Sequence, residues 1–121
     1  MRLLCADDEP DLRTILDLAL RLDPRIEAEI FPAGDALLER ARATGADAIL
    51  LDAMMPGMDG LETCRRLKAD PATAAIPVIF LTARAQEADE AALRAAGALA
   101  SLPKPFDPLT LAGDLLRVLG R

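Results

Sequence analysis

An α/β fold on a parallel sheet is the class this chain predicts, and two observations carry the prediction. Short apolar runs alternate with segments of helical period five times along the chain, the pattern of parallel strands joined by crossover helices. The length, 121 residues, is that of one domain with one site. Hydrophobic residues make up 52% of the chain and aromatics only 2%, so the core must be assembled from Leu, Ile, Val and Ala.

The elements follow in order. The first strand is expected from Leu3 to Ala6, and Pro10 suits an early helix position before Leu12, Ile15, Leu16 and Ala19 recur at helical spacing to about Leu22. A second strand runs from about Glu27 to Phe31. Pro32-Ala33-Gly34-Asp35 turns it into a helix ending near Thr44, with Gly45 as a stop. Ala48 to Leu51 forms the third strand, and Asp52 opens a tight loop, Met55-Pro56-Gly57-Met58-Asp59-Gly60. A carboxylate there is not expected to be buried core. Leu61, Cys64, Arg65 and Leu67 mark a third helix, which Asp70-Pro71 terminates because Pro disfavours helical geometry in the residue before it. Strand four is Val78 to Leu81. Helix four is crowded with Ala88, Ala91, Ala92, Ala95 and Ala96 and has Leu93 as its one large apolar side chain. It has high propensity and little area to bury, so it should be the most loosely held helix. Gly97 stops it, a short strand lies near Leu99 to Leu102, and Asp107 is expected to cap a last helix carrying Leu111, Leu115 and Val118.

Charge and cysteine usage exclude several classes. Fourteen basic against twenty acidic residues leave a net charge of −6, with no basic stripe for a nucleic-acid backbone. Direct nucleic-acid binding is not expected. Cys5 and Cys64 have neither zinc spacing nor a CxxC arrangement and are expected to be buried and reduced. Residues 1–6 reach Asp7 before a signal-peptide core could form, and no apolar run approaches the roughly twenty residues of a membrane span. A cytoplasmic location is therefore expected.

Ligands of a doubly wound sheet bind beyond the carboxyl ends of its strands, where the strand order reverses. The residues at those ends are Asp7 and Asp8, Asp52, Thr82 and Lys104. Taken singly they have plainer readings: Asp7 and Asp8 as helix-capping acids, Asp52 as a turn former, Thr82 as a strand residue, Lys104 as a solvated lysine. Their joint placement overturns those readings. Three converging carboxylates repel unless a cation intervenes, and oxygen ligands in a chain without His suit magnesium, or manganese, better than zinc. A metal and a lysine beside a carboxylate are also what phosphoryl transfer needs. Asp52 would be the nucleophile, and its phosphoryl group would be held by Lys104, the Thr82 hydroxyl and the backbone N–H groups of Ala53 and Ala83.

Asp7-Asp8, Asp52 with Met55-Pro56-Gly57-Met58-Asp59-Gly60, Leu81-Thr82-Ala83 and Lys104-Pro105-Phe106 resemble the CheY-like receiver domain of bacterial response regulators, in order and spacing over nearly the whole chain. The resemblance implies a flavodoxin-like (βα)5 three-layer sandwich with strand order 2-1-3-4-5 and a cis Lys104–Pro105 peptide. It implies that Asp52 takes a phosphoryl group from a phosphohistidine on a sensor histidine kinase or phosphotransfer protein. Asp8 and Asp52 would contact Mg2+ directly, Asp7 largely through water, and Met54 through its backbone carbonyl. Downstream it implies a protein target or fused effector, as a monomer or a phosphorylation-dependent dimer. Residues 1–121 would be one receiver domain, complete as a single-domain regulator or part of a larger protein.

In this family the Thr82 hydroxyl and a rotating aromatic residue carry the signal to the face of helix four, strand five and helix five. Here the matching position is Ser101, so the aromatic lever is missing and rearrangement of helix four is the expected substitute. Met54 is expected to crowd attacking water and Arg84 to reach the phosphoryl group or a partner, slowing self-hydrolysis. Met54, Met55 and Met58 more readily pack under their own loop than form a recognition surface. An aspartyl phosphatase of the haloacid dehalogenase type uses similar groups, but places its nucleophile early and its acidic pair late, the reverse of the order here. A module that keeps the fold without the chemistry would have no need of all five polar positions.

Overall fold

The computed structural model describes residues 1–83 and 87–121, with the backbone alone for 87–89. Arg84, expected near the phosphoryl group, and the Ala88 side chain therefore lie outside the described residues. Among the described residues, strands β1 (Arg2–Ala6), β2 (Glu27–Phe31), β3 (Ala48–Asp52), β4 (Val78–Thr82) and β5 (Ala100–Pro103) alternate with helices α1 (Pro10–Arg21), α2 (Gly34–Thr44), α3 (Gly60–Ala69), α4 (Glu87–Ala95) and α5 (Leu111–Val118). The strands are parallel and ordered β2-β1-β3-β4-β5, so the winding reverses between β1 and β3.

Successive strand residues point to opposite faces, and that alternation divides the core in two. Leu4, Ile49, Leu51 and Phe80 pack with Leu37 of α2, Leu67 of α3 and Leu93 of α4. Leu3, Cys5, Leu50 and Leu81 pack with Leu16 and Leu20 of α1 and Leu111 and Leu115 of α5. Each fully buried Leu contributes on the order of 1.5–3 kcal/mol of transfer free energy, so the two central strands β3 and β4, buried throughout, anchor the domain.

Local signals explain most boundaries. Pro10 opens α1, where its missing N–H costs nothing. Gly45 ends α2 at φ 68°, a left-handed conformation that favours glycine. Asp59 caps α3 by accepting the Glu62 N–H at 2.8 Å, and Asp70 leaves the helix in extended geometry ahead of Pro71.

Several boundaries differ from the sequence reading, β1 among them, which starts at Arg2 rather than Leu3. β3 and β4 each run one residue further, because the ladder continues through Asp52 and Thr82 after the apolar run has stopped. β5 lies one residue later and ends on Pro103, tolerated at the end of an edge strand. Asp107 caps a preceding turn rather than the last helix: its carboxylate accepts the Leu109 N–H at 2.9 Å, and α5 starts after Thr110.

In α4 the expectation of sparse burial is met, since Leu93 is buried while Ala91, Ala92 and Ala95 are exposed. Both cysteines are free and buried. No helix among the described residues is long and apolar enough to cross a membrane.

Candidate functional site

Register builds the site. Ala6 pairs with Leu51, which sets Asp7 level with Asp52, and Thr82 pairs with Pro103, which sets Lys104 one residue above it. Carboxylate oxygens of Asp7, Asp8 and Asp52 all come within 4.8 Å of one another. The Lys104 ammonium reaches over them, 3.1 Å from Asp52 Oδ2 and 3.4 Å from Asp7 Oδ2. The Lys104–Pro105 peptide is cis, as the resemblance implied.

Asp52 is not at the surface, contrary to the sequence reading: it is 3% exposed and Asp7 is 0% exposed. Lys104 is the physical reason, because a cation folded over both acids lets them leave water together. Burial still holds the Asp52 carboxyl above its usual range, and the Asp7 charge adds to it, against the Met54 N–H and Lys104, which pull it down. Burial alone would lower the Lys104 ammonium, but its bonds to Asp52 and Asp7 outweigh that and raise it. Beneath them Cys5 is forced upward by burial and then by the two acids, so it stays a thiol.

The acids fit a divalent cation on the structure's own terms. Asp7 Oδ2 is fully buried and accepts no hydrogen bond among the described residues, its contact being the Lys104 ion pair. At 3.4 Å that ion pair leaves the oxygen's hydrogen-bonding capacity unmet, and a metal ion is one group that would meet it. Asp7 Oδ1, by contrast, accepts the Glu9 N–H at 2.9 Å, so one oxygen serves the helix start and leaves the other to the pocket.

The backbone amides are distributed differently from the sequence reading. The Ala53 N–H donates to the Leu81 carbonyl at 3.0 Å and belongs to the sheet ladder. The Met54 N–H faces the Asp52 carboxylate instead, 3.2 Å from Oδ1. Sequence carries no signal for this, since the direction of an N–H is decided by where pairing ends. Thr82 is 8% exposed and Ala83 follows it at the surface. Both line a cavity of about 370 Å³ with Met54, Asp59, Leu61 and Leu93. Met54, which lines this cavity, is 79% exposed. Met55 is buried in the core cluster of α2, α3 and α4, and Met58 packs half-buried against it.

Two glycines make close approaches possible. A Cβ on Gly60 would lie 2.2 Å from the Asp52 carbonyl oxygen, so the start of α3 can rest on the Asp52 main chain only as glycine. A Cβ on Gly34 would meet Thr63 Oγ1 at 2.0 Å, where α2 crosses α3.

At the far side of β5, Ser101 Oγ meets Glu90 Oε1 of α4 at 3.5 Å, the outer limit of a hydrogen bond. Beside it a cavity of about 110 Å³ is lined by Glu90, Leu93, Arg94, Ala98 and Ala100. A small hydroxyl leaves this space unfilled.

Comparison with known proteins agrees with this architecture. The family model described as "Response regulator receiver domain" matches residues 3–115. The phosphate regulon transcriptional regulatory protein PhoB of Pseudomonas aeruginosa is 37% identical over 121 residues, covering 98% of this chain and 52% of that protein. The transcriptional regulatory protein CseB of Streptomyces coelicolor is 39% identical over 118 residues, covering 98% of this chain and 49% of that protein. The chain thus spans about half the length of these relatives. Among solved structures, the chemotaxis response regulator CheY4 of Vibrio cholerae superimposes with a TM-score of 0.89 at 30% identity, covering 97% of both chains. Fold, strand order and family match converge: this chain belongs to the receiver domains of response regulators, the phosphoacceptor modules of two-component signalling.

Proposed function

We propose that Asp52 is the phosphoacceptor of this receiver, taking its phosphoryl group from a phosphohistidine on a sensor histidine kinase or phosphotransfer protein. The observation that carries the reading is the meeting of Asp7, Asp8 and Asp52 within 4.8 Å under one lysine. In the transfer an Asp52 carboxylate oxygen forms a bond to phosphorus while the phosphorus–nitrogen bond breaks, and the electron pair leaves with the imidazole. Asp8, Asp52 and the Met54 carbonyl, with Asp7 through water, would hold Mg2+ or Mn2+. The ion would supply charge neutralisation on the phosphoryl oxygens.

The chain's own groups do the rest. Lys104, already 3.1 Å from Asp52 Oδ2, is within reach of a phosphoryl oxygen placed there. The Met54 N–H, which now donates to Asp52 Oδ1, is available to the new group, and the Thr82 hydroxyl and Ala83 N–H complete its seat. Preorganised donors of this kind stabilise charge without having to be rearranged at the moment of transfer. The domain would assist its own phosphorylation and slow dephosphorylation, releasing only the group it carries. It would work in the cytoplasm as a monomer or phosphorylation-dependent dimer, passing the signal to a protein target or fused effector.

The signal would leave through α4, β5 and α5. With Ser101 on β5, movement of Thr82 has no ring to draw inward, and α4, held by Leu93, would rearrange instead. Phosphorylation would then change amide exchange most across residues 83–102, and unchanged exchange there would sink this part of the reading.

Acetyl phosphate with magnesium followed by intact mass tests the acceptor. One phosphoryl group should appear on the parent and none on Asp52→Asn. A parent that gains no mass would favour a phosphorylation-independent module, whereas repeated turnover of a phosphate ester would favour a phosphatase.

A further inference from the structure

We infer that Arg13 is a positioning residue for the acidic pocket, fixing the main chain of Asp7 so that the Asp7 and Asp8 carboxylates face a divalent cation. The inference rests on reading Asp7, Asp8 and Asp52 as a cation site. Arg13 stands on α1, one turn past Pro10, and its Nη1 donates to the Asp7 carbonyl oxygen at 2.9 Å. Its own N–H donates to the Glu9 carbonyl at 2.9 Å, so the arm that reaches back is rooted in formed helix.

Asp7 is thereby gripped at three points. Its N–H donates to the Phe31 carbonyl at 3.1 Å, its Oδ1 accepts the Glu9 N–H at 2.9 Å, and its carbonyl accepts Arg13. The atom left over is Oδ2, buried and directed to the pocket. Two of those bonds come from the sheet and the turn; the third is the one that ties the turn to α1.

Arg13 does not act here by neutralising the acids. Among the described residues its guanidinium makes no ion pair with Asp7, Asp8 or Asp52, while Lys104 pairs with Asp7 and Asp52. The distinction fixes the sign of the test. A residue that served only as positive charge would repel a metal ion, and its removal would tighten binding. A residue that holds the turn would, on removal, weaken binding, as loss of groups that orient metal ligands does.

The test is calorimetric titration of magnesium chloride into the unphosphorylated parent, Arg13→Ala, Arg13→Lys and Asp8→Asn proteins, each checked by thermal melting. Arg13→Ala should raise the Mg2+ dissociation constant about tenfold. Arg13→Lys, which can still present one N–H to one carbonyl, should stay within about threefold of the parent. In metal-free protein the Glu9 amide should exchange faster in Arg13→Ala than in the parent, because the carboxylate it donates to has lost its footing. Arg13→Ala binding magnesium as well as or better than the parent, or an unchanged Glu9 amide, would overturn the inference while leaving the cation site standing. A parent that binds no magnesium, matched by Asp8→Asn, would instead remove the cation site and this inference with it.

Discussion

The acidic pocket and the α4–β5 face are built to different tolerances, although β4 belongs to both. In the pocket, Asp7, Asp52 and Thr82 are 0%, 3% and 8% exposed, and the acids have partners at 2.9–3.4 Å. On the α4–β5 face, Leu93 is the buried side chain among the described residues of α4, Ser101 meets Glu90 at 3.5 Å, and about 110 Å³ is left empty. The acidic groups sit where the fold is most constrained, and the α4–β5 face sits where little must be broken to move it.

If the contrast holds, substitutions should lose effect from pocket to face. Lys104→Ala should be the most damaging, leaving Asp7 and Asp52 buried without their cation at a cost of about 3–5 kcal/mol at neutral pH without metal, read from denaturant melts. Added magnesium should restore part of that loss, and a change below about 1 kcal/mol, the size of a surface pair, would break the comparison at its strongest point.

Next comes Gly60→Ala, whose new methyl carbon would press on the Asp52 carbonyl. A loss of about 1–3 kcal/mol is expected from such overpacking, with slower phosphorylation by acetyl phosphate.

Asp52→Asn should act in the opposite direction, raising metal-free stability at neutral pH by about 1–2 kcal/mol, because a neutral amide escapes the cost of burying a second charge beside Asp7. Its pH profile supplies the sign. Asp52 is raised in the folded state, so the folded protein binds that proton more tightly, and stability falls as pH climbs from the unfolded carboxylate range through the folded value. Asp52→Asn should flatten this fall. Lys104 is also raised, so its stabilisation is complete below the unfolded lysine value and disappears as pH rises through the folded one. An Asp52→Asn protein with the parent's acid-side slope would assign the fall to other groups.

Smallest of all, Ser101→Ala should shift stability by no more than about 0.5 kcal/mol, since its bond to Glu90 is at the limit of hydrogen-bond length. Phosphoryl uptake should be unchanged. A larger effect would make the α4–β5 contact tighter than its geometry implies.

What sequence conveyed follows the same contrast. Asp7, Asp8, Asp52, Thr82 and Lys104 were legible because each stands where an apolar run gives way to a turn, and parallel strands bring such points to one edge. The burial of Asp52 was not, because it depends on Lys104 arriving from β5. The amide beside Asp52 belongs to Met54 rather than Ala53 because the ladder to Leu81 claims Ala53, a fact of pairing and not of residue type. Arg13 carried no motif; only the winding of α1 from Pro10 brings its guanidinium back to Asp7. The Ser101–Glu90 contact was likewise invisible, being a meeting of a helix and a strand that share no local pattern.

The strand order has a consequence for assembly of the pocket. Asp52 lies on the central strand β3, but the lysine that closes the pocket follows the edge strand β5, which pairs only with β4. The first 52 residues carry Asp7, Asp8 and Asp52, whereas the ammonium that pairs with two of them comes from residue 104. The pocket therefore gains its ammonium only once β5 has joined the edge of the sheet.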